Sequence, residues 1–172
     1  MISIREATAA DAESVHALHV ASSTAVYQQF FGGKGLKQWL ATRSPAVCAE
    51  EIRKWAVIVA EEDDVLLGFG ALDTAKANID AVYVAPDRWR QGIGRQILAR
   101  LEQIATAAHL PLITLQAAGP AILFYRKQGF GTPNDPGPNP SWAEMEKRIK
   151  VPDLFSRKIK VPDLFSPFMV RK

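Results

Sequence analysis

Between residues 88 and 95, three arginines and two glycines carry the clearest chemical suggestion in this 172-residue chain. The stretch reads Arg88-Trp89-Arg90-Gln91-Gly92-Ile93-Gly94-Arg95. Gly92 and Gly94 leave unshielded the first backbone N–H groups of the helix that begins there, and such groups have no partner inside the helix. A helix N-terminus is partly positive and ordinarily recruits acids. Here Arg88, Arg90 and Arg95 crowd it, and the first acid within the helix is Glu102. That pattern suits an anion arriving from outside, phosphate above all. A glycine-punctuated loop before an ordinary helix with solvated arginines reads as well from the glycine spacing alone. Two nucleotide motifs are excluded. The dinucleotide fingerprint needs three spaced glycines, and Gly33-Lys34-Gly35 lacks the Ser or Thr that a Walker loop requires.

Few other side chains invite chemistry. Tyr125 lies in an amphipathic stretch, where a core aromatic is the plain reading and a proton donor the sharper one. Cys48 is the only cysteine, so no intrachain disulfide can form, and a packed thiol is its expected state. His16 and His19 stand three apart without acidic or cysteine neighbours, as ordinary histidines of a helix's polar face do. His109 precedes a strand at a helix end. No metal site is expected.

The glycine loop needs a strand before it and a helix after it. Asn78 to Val84 alternates, with Ile79, Ala81 and Tyr83 expected on one face and Asn78, Asp80, Val82 and Val84 on the other. Pro86 closes that strand. From Ile93 the period becomes helical through Ile97, Leu101, Ile104 and Ala108. Upstream, Ile2 to Arg5 alternates as a first strand, and Thr8-x-x-Asp11 starts a helix that carries Ala12, Val15 and Leu18 inward. Ser22 to Leu40 is expected to be less regular, a short helix and a glycine loop with Phe30, Phe31 and Trp39 exposed. Ser44-Pro45 caps a helix to Lys54. Ala56–Ala60 and Val65–Leu72 read as strands joined by a tight acidic turn. Leu112–Leu115 should lie parallel to the Ala77 strand after the helix crosses over. Gly119-Pro120 opens the last helix, Gly129 ends it, and Trp142–Lys147 closes the sheet.

Tyr83-Val84-Ala85-Pro86 followed by Trp89-Arg90-Gln91-Gly92-Ile93-Gly94 resembles the acetyl-CoA site of the GNAT superfamily of N-acetyltransferases. That site pairs a strand ending Tyr-Val-x-Pro with Gln/Arg-x-x-Gly-x-Gly/Ala. Phe124-Tyr125-Arg126-Lys127-Gln128-Gly129-Phe130 resembles a second family signature, Phe/Leu-Tyr-x-Lys-x-Gly-Phe. The resemblance covers roughly Ile2 to Lys147. It departs at Trp89, where the family usually has Gln or Arg, and at Ala118, where it often has Asn.

The resemblance implies an α/β (α+β) fold: a mixed, mostly antiparallel sheet flanked by helices, whose splayed parallel strand pair forms the CoA cleft. It implies acetyl-CoA as co-substrate. The pantetheine arm would lie along Val82, Tyr83 and Val84, with the Val84 amide on the acetyl oxygen. The pyrophosphate would rest at Arg90, Gln91, Gly92, Ile93, Gly94 and Arg95. Tyr125 takes the general-acid position. The family's usual glutamate base is Asn78 here, which leaves Asp80 as the substitute, acting directly or through a water. Ser22 to Leu40 would shape the acceptor site. The implied activity is acetyl transfer to a primary amine on a small molecule or peptide, by direct attack in a ternary complex. A non-catalytic acyl-CoA-binding module is the alternative.

Composition adds exclusions. With 48% hydrophobic and 23% charged residues, residues 1–149 read as one domain with a real core. A net charge of +3 without basic clusters argues against nucleic acid. Ile104–Tyr125 lacks charged residues, but His109, Pro111, Gln116, Gly119 and Pro120 interrupt it, against a membrane span. The lone cysteine and the missing signal-peptide pattern fit a cytoplasmic protein, and a homodimer is left open. Residues 150–172 form a tail in which Ile149–Ser156 recurs unchanged at Ile159–Ser166. Recent duplication or an artefact explains the repeat, and neither implies function.

Overall fold

The computed structural model describes residues 1–138 and 140–151. Most of the duplicated tail lies outside the described residues.

The chain runs β1 (Ser3–Glu6), α1 (Ala12–Phe31), α2 (Leu36–Leu40), α3 (Pro45–Lys54), β2 (Ala56–Glu62), β3 (Val65–Asp73), β4 (Asn78–Val84), α4 (Ile93–Ala107), β5 (Leu112–Ala118), α5 (Ile122–Lys127) and β6 (Trp142–Arg148). The strands form one sheet in chain order. All neighbouring pairs are antiparallel except β4 and β5, which are parallel. This is the mixed, mostly antiparallel sheet that the sequence predicts.

Strand β2 shows why the sheet is covered on both sides. Its apolar run sends Ile58 and Ala60 to one face and Val57 and Val59 to the other, and all four are buried. The first face takes α4 and α5, through Ile93, Ile97, Leu98, Leu101, Ile122 and Tyr125. The second takes α1 and α3, through Val15, Leu18 and Cys48. Helix α4 comes close because β3 carries Gly68 and Gly70. A Cβ on Gly68 would stand 2.7 Å from Ile97 Cδ1 and 2.9 Å from the Tyr83 carbonyl oxygen. Overpacking of that kind costs about 1–3 kcal/mol.

Three expectations are corrected. The Ser22–Phe31 segment is not a separate irregular piece but the second half of one 20-residue helix, α1. Of the three aromatics expected to be exposed, Phe30 is exposed, whereas Phe31 and, in α2, Trp39 are half-buried. His19 is not on a polar face: it is fully buried. The third correction concerns β4. The register steps from Ala71↔Ala81 to Leu72↔Ile79, so Asp80 is an extra residue without a partner on β3. The bulge resets the alternation. Ile79, Val82 and Val84 face the α4 side, while Ala81 and Tyr83 face the α1 side.

Candidate active site

β4 and β5 are joined by only two residue pairs, Asn78↔Thr114 and Ile79↔Leu115. Asn78 helps to hold this point, its side-chain oxygen accepting from Thr114 Oγ1 at 3.2 Å. Beyond it the strands part, and a cleft of about 1300 Å³ opens between them. Asp80, Val82, Tyr83, Val84, Arg90, Gly92, Ile93, Gly94, Arg95 and Tyr125 all line this one cleft. Gln91 is the exception among the residues singled out from sequence. Its side-chain amide turns instead toward the Asp87 carbonyl, at 3.4 Å.

One end of the cleft holds the open N-terminus of α4 with two arginines beside it. The loop from Pro86 makes a single turn of 3₁₀ helix, takes Arg90 through the left-handed region at φ +63°, and reaches Gly92 at φ +83°. A left-handed Gly92 costs little where a side chain would be strained. Gly92 is the N-cap of α4, which has no side-chain cap and no acid in its first turn. A Cβ at Gly92 would meet nothing within 4 Å, so the amides behind it are open to approach. Arg88 leans toward Glu62 at 3.6 Å. Arg90 and Arg95 form no ion pair among the described residues, and both are exposed. Trp89 fixes the loop in place. Its indole Nε1 donates to the Val84 carbonyl at 2.9 Å and pins the loop to the strand. That carbonyl is therefore already engaged along the proposed pantetheine track.

Tyr125 sits at the middle of the cleft. It is 7% exposed, wedged between Phe124 and Phe130 with ring centroids 5.0 and 5.7 Å away. Burial, with a smaller contribution from nearby Tyr83, pushes its phenol pKa above the ordinary value. It therefore stays protonated through neutral pH, as a proton donor must. The C-terminus of α5 holds it in place: Phe130 N–H donates back to the Tyr125 carbonyl and Gly129 N–H to Arg126.

Asp80 faces the cleft from the bulge, its side chain 38% exposed. Arg43 Nη2 donates to Asp80 Oδ2 at 2.5 Å, and the same guanidinium makes paired bonds to Glu51 of α3, Nε to Oε2 at 2.9 Å and Nη2 to Oε1 at 3.0 Å. Burial works against the Arg43 charge, but the Glu51 bonds and the nearby Asp80 carboxylate more than offset it, so its pKa is raised. Tyr83 stands beside this network. His19 meets its ring edge-on at 5.1 Å, and Trp39 and Ser23 lie against its hydroxyl. Ser23 Oγ nevertheless makes no bond of adequate geometry, and neither ring nitrogen of His19 has a partner. Burial first, and then the Arg43 and His16 charges, lower the His19 pKa to about 4. Arg43, Glu51 and His19 escape a sequence reading. Arg43 is a lone arginine in a turn, 37 residues from the carboxylate it binds, and no local pattern marks it.

Among the described residues, no group of three His, Cys, Asp or Glu side chains is placed to hold a metal ion, and no helix is long and apolar enough to cross a membrane.

Comparison with known proteins fits this geometry. Residues 53–132 match the family model described as the acetyltransferase (GNAT) domain. The peptidyl-lysine N-acetyltransferase of Escherichia coli is 40% identical over 72 residues, which are 42% of this chain and 47% of that protein. The match thus spans about half of that relative's length. Among solved structures, the PaiA N-acetyltransferase of Thermoplasma acidophilum in complex with coenzyme A superposes with a TM-score of 0.76 at 22% identity, covering 86% of this chain and 99% of that one. A phosphinothricin acetyltransferase from Sinorhizobium meliloti in complex with acetyl-CoA gives 0.66 at 20% identity, with 86% and 88% covered. At those identities the likeness is one of fold.

Proposed function

Because residues 53–132 match the acetyltransferase (GNAT) domain model, we propose that the chain transfers an acetyl group from acetyl-CoA to a primary amine in a ternary complex. One observation carries the reading: the uncapped α4 N-terminus, with Arg90 and Arg95 beside it, opens on the same cleft as Tyr125 and Asp80. The amides from Gln91 to Arg95 would hold the pyrophosphate, and the backbone of Val82 and Tyr83 with the Val84 amide would hold the arm and the acetyl oxygen. Acetyl-CoA supplies an activated acetyl carbon on a thiolate leaving group.

The protein's share is positioning and proton traffic. Asp80 accepts the proton that the incoming ammonium must lose, directly or through a water. The freed nitrogen forms its bond to the acetyl carbon as the carbon–sulfur bond breaks. The second proton that this nitrogen must lose to become an amide passes to solvent, from which Tyr125 is later reprotonated. The Val84 amide steadies the oxygen as charge gathers there. Tyr125 gives its proton to the departing thiolate. The partial match to a peptidyl-lysine acetyltransferase supports an amine acceptor.

The test is release of CoA thiol with acetyl-CoA and a panel of primary amines, beside calorimetry of CoA binding. In Tyr125→Phe the turnover number should fall by about 10²–10⁴-fold with donor affinity kept, since general acid catalysis is typically of that size. Unchanged turnover in an assay limited by chemistry would return Tyr125 to a packing role. Tight CoA binding without release from any amine would instead favour a non-catalytic acyl-CoA-binding module, the reading that Asn78 at the usual base position supports.

A further inference from the structure

The acceptor end of the cleft differs from the donor end in both charge and wall. The cations that line the cleft, Arg88, Arg90 and Arg95, all belong to the loop before α4 and the first turn of that helix. At the other end the charged side chain is Asp80, and the one guanidinium near it, Arg43, is buried and taken up by Glu51 and Asp80. The wall there is aromatic and comes from three separate elements. Tyr27 of α1 lies 6.3 Å from Trp39 of α2, and Trp39 lies 5.2 Å from Trp142 of β6, ring centroid to centroid. Phe31 stacks on Trp142 from behind, at 6.4 Å and 4° between planes. Tyr27, Trp39 and Trp142 all line the cleft.

Resting on the transferase reading above, we infer that the acceptor is a small aromatic or apolar monoamine: a flat body laid against the Trp39–Trp142 wall and an ammonium directed at Asp80. Three physical points select that class. Aromatic faces attract both a flat apolar group and a cation, and the Tyr27–Trp39–Trp142 wall offers such faces beside a single carboxylate. An amino acid would bring its own carboxylate next to the amine, where among the described residues no cation is free to meet it, and burying an unpaired charge is costly. A polyamine would bring a second ammonium for which no second acid lines that end. The wall also ties α1 and α2 to β6. An extended peptide could cross this end only by parting the Trp39–Trp142 contact, whereas a small amine can lie against the cleft side of the rings and leave that contact in place.

The experiment measures kcat/KM, by release of CoA thiol, for 2-phenylethylamine, L-phenylalanine, spermidine and a short lysine-containing peptide. 2-Phenylethylamine should exceed each of the others by about tenfold or more, the range in which one unmet charge discriminates. Phenylalanine is the sharpest comparison, because it differs only by the carboxylate. Trp39→Leu and Trp142→Ala should raise KM for 2-phenylethylamine about tenfold and leave the dissociation constant for CoA unchanged. Trp142 is 38% exposed, and loss of its contacts with Phe31 and Trp39 should lower the melting temperature by only a few degrees. Faster turnover of the peptide, spermidine or phenylalanine would overturn the inference and leave the transferase intact. An unchanged KM in both variants would overturn the aromatic recognition. Failure of all four amines with CoA still bound would overturn the transferase reading, and this inference with it.

Discussion

Asp80 reaches the cleft through one extra residue. Without the bulge, β4 would keep strict alternation, and the face carrying Asp80 would also have to carry Val82 and Val84. With it, Asp80 stands beside Arg43 while Val82 and Val84 face the α4 side. If Asp80 takes the acceptor's proton, Asp80→Asn should lower kcat/KM most at low pH, where neutral amine is scarce, and less as pH rises toward the amine's own pKa, near 10.4 for a lysine-like amine. CoA affinity should not move. A pH–rate profile parallel to wild type would remove the base role, and lost folding would mark a structural carboxylate instead. His19 makes a second prediction at this scale. Its folded pKa, about 4, lies below the unfolded value of 6.5, so between those pH values the unfolded chain binds more protons. Stability is therefore full above about pH 6.5 and falls as pH drops toward 4, by up to about 3 kcal/mol. His19→Leu should flatten that part of the melting-temperature profile relative to wild type. Equal acid sensitivity in both proteins would show that His19 protonates without cost.

Among the elements, α4 is the one on which the proposed donor binding turns. Its first turn lacks both a cap and an acid, so the partial positive charge there is unanswered within the described residues. Gly92→Asp together with Gly94→Asp would supply a carboxylate where the phosphate should sit. The double variant should lose CoA binding by calorimetry while keeping a helical far-UV spectrum, and near-wild-type affinity would exclude this loop as the phosphate site. Arg43 is the corresponding hinge point for the other wall. It joins α3, through Glu51, to the bulge of β4, with its side chain only 6% exposed. Arg43→Met would leave two carboxylates without their cation, a change that typically costs about 3–5 kcal/mol. The melting temperature should drop accordingly; a drop of a degree or less would mean that solvent reaches both acids freely.

Across the whole molecule, what was legible in the sequence was what local pattern encodes. Sheet order followed from short turns and one helical crossover, and the strand–loop–helix of residues 78–107 followed from the change of period at Ile93 and the stop at Pro86. The proposed acceptor wall was legible only in part: the resemblance pointed to Ser22 to Leu40, which holds Tyr27, Phe31 and Trp39, but not to Arg43 or Trp142, which no short pattern joins to that segment. Arg43 meets Asp80 across 37 positions, and Phe31 and Trp39 meet Trp142 through the fold alone. The bulge was hidden for another reason: an inserted residue leaves the polarity string of β4 intact and shows itself only against the register of β3.

The parting of β4 from β5 has a cost beyond catalysis. Past Ile79 and Leu115, a six-stranded sheet presents two inner edges to each other with nothing hydrogen-bonded between them. Bare edges of that kind recruit extended segments from other chains. A pantetheine arm laid along β4 would occupy the same backbone groups, so the co-substrate would also guard the protein against its own copies. Held well below its unfolding temperature, the apoprotein should slowly gain light scattering while the CoA-saturated protein stays clear, and equal traces would show that the edges are harmless. On this view the level of CoA would govern how long each molecule escapes aggregation as well as how fast it turns over.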